Sequence, residues 1–390
     1  MLRTTQPQLA SNPAIPLDAR LAEPAVATRH GAVPAAQWLP AIAASLLYPM
    51  AVQLFVEGYH AALGAGGTTR ALYGLGALAM LTLAIAAPGL ALRSLYTMRL
   101  NASPRAYGVR RLLHLACTVP PLYLVWIRVA GLGSLRGSTA ALVGWGIGWV
   151  VLATLAWSAS RGAVESASAP VPASSPVEPA DAAKPSLLAV LTGRSRKVHR
   201  VAVVALLGAF LVAHLANHLF ALWSVSAQTT VMDALRLWYR AIWMEPLILA
   251  LFVLAAFTGL LRLSRLTRAP ADGWRVLQTA SGGYIAIFLV SHIWATLGAR
   301  YHGIDTNWAF ASGGKAGMLA SGVAAMVLLY YTFALLAVAV HAGLGLRMVL
   351  LSRRVRAAAA NRSARWVFAC GSAMSALIVA ALLGARLAGG

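Results

Sequence analysis

HRVAVVALLGAFLVAHLANHLFALWS, residues 199–224, decides the fold. After Arg200 it carries no Asp, Glu, Lys or Arg, yet it holds His214 and His218. About 20 residues rising 1.5 Å each cross the ~30 Å hydrocarbon core of a bilayer. The run is therefore read as a membrane-crossing helix. An ionisable side chain costs free energy in hydrocarbon, so its imidazoles are functional candidates from the outset.

Working outward, the same criterion marks about nine spans: 39–60, 71–93, 112–132, 139–159, 199–224, 242–263, 279–300, 319–347 and 366–388. The composition agrees, with 59% hydrophobic and 11% charged residues where soluble domains carry about a quarter charged. Mean hydropathy is +0.72. These values exclude a soluble enzyme. The expected fold class is all-α, a polytopic membrane protein. Residues 1–38, Pro/Ala-rich without an apolar core, are expected to be a disordered cytoplasmic tail and not a cleaved signal peptide. Residues 39–160 form a four-helix unit, 161–194 a Ser/Ala/Pro-rich cytoplasmic linker, and 195–390 a five-helix unit.

The net charge of +22 would suggest nucleic acid in a soluble chain. Here the basic residues lie mainly between the spans, and insertion orientation accounts for them, so no nucleic-acid partner is expected. With the N-terminus in the cytoplasm, 24 Lys and Arg fall inside and 8 outside. That asymmetry places the linker inside and the C-terminus outside. A cysteine introduced at Ser174 should resist an impermeant thiol reagent in intact cells; efficient labelling would overturn the orientation. The two native cysteines, Cys117 and Cys370, form no CxxC motif, which leaves no disulfide framework, zinc ribbon or covalent haem attachment.

Depth sorts the histidines of the C-terminal unit. His214 lies roughly 24 Å from the inner end of its helix, and His292 roughly 21 Å from the inner end of 279–300. They share a level in the outer half of the bilayer, which two imidazoles clasping one haem iron require. His341 lies only about 9 Å from Arg347 and belongs to the inner level with His199. The alternative is that these histidines only bond across helices.

Three segments carry a resemblance. Residues 194–222 place a basic cluster and His199 fifteen residues before His214, followed by HLANH. Residues 277–294, LQTASGGYIAIFLVSHIW, run from Gln278 through Ser281 to F-x-x-x-H-x-W with His292. Residues 336–350, LAVAVHAGLGLRMVL, carry His341 before a small-residue run. In this order the three resemble the type B cytochrome b membrane-anchor subunit of succinate dehydrogenase and fumarate reductase, over about 195–388. HLANH is one residue shorter than in close relatives. The resemblance implies a haem-b cytochrome in a bacterial inner membrane, with quinone as substrate. It implies axial ligands His214 and His292, and peripheral flavoprotein and iron–sulfur subunits docking on the cytoplasmic loops 262–275 and 347–365.

One departure has consequences. Two-haem members carry a further ligand on the helix that here reads MEPLILALFVLAAFTGLLRL, where Glu245 and Gly259 are in place but Ala255 stands at the ligand position. His341 loses that partner, so the resemblance implies one haem, at the outer level. His218, His199, His341, Ser281 and Glu245 remain candidates for its surroundings or for a quinone site. Each has a plainer reading. His218 can bond headgroup water, Ser281 with Gly282 and Gly283 can serve helix packing, and Glu245 can pair with Arg240. Two other functions stay open: a membrane anchor or haem-based sensor acting through a partner, and a cofactor-free transporter or structural protein. The four N-terminal helices carry no assignable motif.

Overall fold

The computed structural model describes residues 33–101, 103, 105–132, 139–167, 187–313 and 324–387, and every regular element among them is helical. In chain order these are α1 (Leu39–Gly64), α2 (Gly67–Thr97), α3 (Arg105–Ala116), α4 (Val119–Leu132) and α5 (Thr139–Ala167). The C-terminal unit has α6 (Leu187–Leu206), a π-helical turn (Leu207–Leu211), α7 (Val212–Phe220), α8 (Val225–Tyr239), α9 (Met244–Leu266) and α10 (Gly273–Tyr301). A short α11 (Trp308–Ala311), α12 (Ala324–Ser352) and α13 (Ala357–Leu382) follow.

Among the described residues eight helices are long and apolar enough to cross a bilayer, or nine if the bent pair α3–α4 counts as one crossing. The chain is a multi-pass membrane protein. Its outward faces agree: Val201, Val204, Val253 and Phe257 are exposed along helices whose opposite faces are packed. Such positions suit lipid as solvent and would be anomalous in water.

The structure departs from the expected spans in three places. The third, expected as one segment over 112–132, is broken by 75° between α3 and α4. Pro120 and Pro121 sit at the start of α4, and a proline there has no N–H for the ladder and clashes with the carbonyl four residues back. The last span begins at Ala357, not 366, and Asn361 in its first turns accepts from Arg347 Nε at 2.7 Å. The segment between Trp223 and the next span, expected as a loop, is the helix α8, capped by Ser224 Oγ accepting from Ala227 N at 3.0 Å.

The tail and linker boundaries also shift. Trp38, assigned to the tail, is 2% exposed and packs on Trp157 with ring centres 5.9 Å apart. Helix continues to Ala167 on one side of the linker and resumes at Leu187 on the other. Residues 1–32 and 168–186 lie outside the described part of the chain.

The two units are joined. Arg110 on α3 donates to the carbonyls of Asn101, Thr267 and Arg268 at 2.6, 3.0 and 3.2 Å. Arg99 accepts at its carbonyl from Ala271 N at 2.8 Å. His114, left unassigned by its sequence, bridges Arg110 O at 2.7 Å and Thr279 Oγ1 at 2.9 Å. It is a packing residue of the joint. Val276 and Ala280 of α10 belong to the same buried cluster as Leu95, Leu113 and Trp145.

Candidate haem site

A cleft of about 440 Å³ runs between α6–α7, α9, α10 and α12. Five histidines line it: His199, His214, His218, His292 and His341. They fall into two groups, as depth had suggested.

At one level His214 and His292 face each other with ring centres 6.3 Å apart. That spacing can be tested against an iron between them. An imidazole nitrogen sits about 2.0 Å from a first-row metal, with its ring centre ~1.1 Å further back. Two such ligands on opposite sides of one metal therefore hold their ring centres about 6.3 Å apart. The rings turn freely about the bond axis, so their 64° interplanar angle is compatible. The residues present fit a bis-imidazole haem.

Aromatic neighbours set these rings. Phe210 stacks on His214 at 4.9 Å and 18°, and Phe288 stacks on His292 at 5.1 Å and 12°. Each Phe lies four residues before its His, the spacing at which helical side chains meet. The F-x-x-x-H spacing is repeated at both positions. Tyr331 Oη lies 3.4 Å from His292 Nδ1, and Tyr331 also meets the ring edge-on. The π turn directly precedes α7. Such turns insert an extra residue into the helix and often occur at functional sites. Trp238 Nε1 donates to Ala209 O within it at 3.3 Å.

His218 lies 5.0 Å from His214 between ring centres, and its Nδ1 is buried with no hydrogen-bond partner. Trp308 packs on its other side at 6.0 Å. The ring thus lies between His214 and Trp308. Trp308 is 4% exposed and belongs to the packing around this group.

The adjacent mouth is polar. Glu245 pairs with Arg300 through both carboxylate oxygens, not with Arg240 as its sequence position had suggested. Two parallel bonds fix both side chains. Arg240 donates to Thr306 Oγ1 at 3.0 Å, and Arg236 bonds Asp305 at 2.7 Å, tying α8 to the 305–306 loop. Burial raises the Tyr239 phenol above its usual range, which keeps it a protonated donor beside Phe210. Burial, then the neighbouring Arg236 and Arg300, lowers Arg240 below its usual range.

At the other level His199 and His341 are 6.4 Å apart between ring centres. His199 Nδ1 lies 3.0 Å from Ala255 O, and His341 Nδ1 lies 3.2 Å from Gln278 O. Ser281 Oγ is 3.4 Å from His341 Nδ1 and donates to Leu277 O, so it serves the inner group and not the outer one. Gly282 also belongs there, whereas Gly283 faces Leu263 and Thr118.

Among the described residues no three His, Cys, Asp or Glu side chains converge on one point, and a bis-imidazole haem needs only two. No protein family, curated protein or solved structure matches the chain.

Proposed function

We propose that the chain is a haem-b membrane cytochrome that passes electrons between the quinone pool and a partner of the succinate dehydrogenase or fumarate reductase type. The observation that carries this reading is the half-buried His214–His292 pair at 6.3 Å in an apolar cleft. A haem held there supplies one-electron chemistry. The chain's contribution is to set its surroundings. His214 and His292 would hold it, while Phe210 and Phe288 fix the ring orientations. The apolar cleft wall keeps water away, and Arg240, Arg300 and Glu245 form the charged mouth through which a quinone headgroup reaches the site.

Orientation in this reading follows the basic residues, with the N-terminus on the cytoplasmic side of a bacterial inner membrane. Peripheral flavoprotein and iron–sulfur subunits would then meet the basic loops. The loop before α10 is already engaged, since Arg99, Arg110 and Tyr107 bond to Ala271, Thr267 and Arg268. Exposed Arg353, Arg354 and Arg356 leave the turn between α12 and α13 as the docking surface.

Membranes containing the overexpressed chain should show a reduced-minus-oxidised difference spectrum of b type. A flat spectrum in haem-replete cells would sink the proposal and return the chain to the cofactor-free transporter or structural reading.

A further inference from the structure

We propose that the inner end of the cleft is a second iron–porphyrin site, with His199 and His341 as its axial pair. The proposal rests on the haem reading of the outer pair and extends it to a separate site. Its ligands also differ from the arrangement the family resemblance implies, because no imidazole comes from α9.

Four observations converge. The ring centres are 6.4 Å apart, against 6.3 Å for the outer pair and about 6.3 Å for two imidazoles sharing one metal. Both Nδ1 atoms face backbone carbonyls, which can only accept, so each ring carries its proton on Nδ1. That tautomer leaves both Nε2 lone pairs available, and an Nδ1–H held by a carbonyl is the usual support of a metal-bound imidazole.

The third observation is space. A Cβ at Gly282 would meet His341 Cε1 at 2.9 Å, and one at Gly259 would meet His199 Cε1 at 3.3 Å. Each ring lies against a glycine on the neighbouring helix, and any larger residue at 282 would displace His341. The fourth is charge. Arg262 lines the same end of the cleft, where a porphyrin's carboxylates need a cation.

His199 also explains how the chain dispenses with a histidine on α9. Its Nδ1 bonds the carbonyl of Ala255, the very residue at which that ligand is missing, so the ring occupies the adjoining space from α6. The two levels are well separated. His341 contacts Gly282, and His292 lies ten residues further along α10, or roughly 15 Å.

Haem content of the purified full-length chain tests this directly. A pyridine haemochrome assay should give about two haems per chain, with two one-electron waves in a potentiometric titration. His199→Ala and His341→Ala should each reduce the content to about one and remove one wave, while the remaining b-type spectrum reports an intact outer site. His341→Met, which keeps an axial ligand, should retain both haems with one potential shifted. A wild-type content of about one, unchanged by either alanine variant, would overturn the inner site and leave the outer haem standing. About two haems with no loss in either variant would overturn the ligand assignment. No haem at all would overturn the reading on which both sites rest.

Discussion

In a His341→Ala background, His214→Ala and His292→Ala are each expected to abolish the low-spin b-type spectrum. On the haem reading, each change removes one of the two axial nitrogens. The surviving imidazole then faces a void about the size of the lost ring, and water or an apolar side chain cannot supply an equivalent ligand in register. Phe210 and Phe288 stack on the two rings and would collapse toward the gap. The background substitution ensures that the inner pair contributes no masking absorbance. His218→Ala is the control. Its ring sits 5.0 Å from His214, so its loss should shift the potential and leave the haem bound, as changes next to a ligand do. If His218→Ala loses the spectrum and His214→Ala keeps it, the shorter HLANH segment has moved the ligand by one turn.

Depth arithmetic along the spans reached the two histidine levels because a helix rises by a fixed amount per residue, and bundled crossings share one slab. The multi-pass helical fold was legible for the same reason. What the sequence concealed were relations between helices. Glu245 was assigned to Arg240 by proximity in the chain, whereas Arg300 reaches it from the neighbouring crossing. His341 had no partner on α9, and the structure sets its ring 6.4 Å from that of His199, the histidine already placed at its depth. The π turn at Leu207–Leu211 has no composition signal in an apolar run, although it sets the phase of His214 relative to His199. The break at Pro120 was readable from proline chemistry alone, but the apolar count across it outweighed that signal.

The joint between the two units yields the second large effect. Arg110 is 4% exposed and donates to three carbonyls, two of them beyond the linker at Thr267 and Arg268. Arg110→Ala leaves the carbonyl of buried Thr267 without its side-chain donor, at about 1–3 kcal/mol, and removes two part-buried bonds at Asn101 and Arg268, at about 0.5–1.5 kcal/mol each. The expected loss is therefore at least about 2 kcal/mol, concentrated where the N-terminal unit meets α10. Arg110→Lys should recover only part of it, because an ammonium cannot reproduce the planar fork that reaches Asn101, Thr267 and Arg268 together. Cleavage at a protease site engineered near Ser174 provides the measurement. The two halves of the wild type should stay together through affinity purification in mild detergent, and those of Arg110→Ala should separate. Haem retained by the released C-terminal half would show that the N-terminal helices brace the bundle without building the site. Halves that remain together in Arg110→Ala would mean that apolar packing of Val276 and Ala280 against Leu95 and Leu113 holds the units without the arginine.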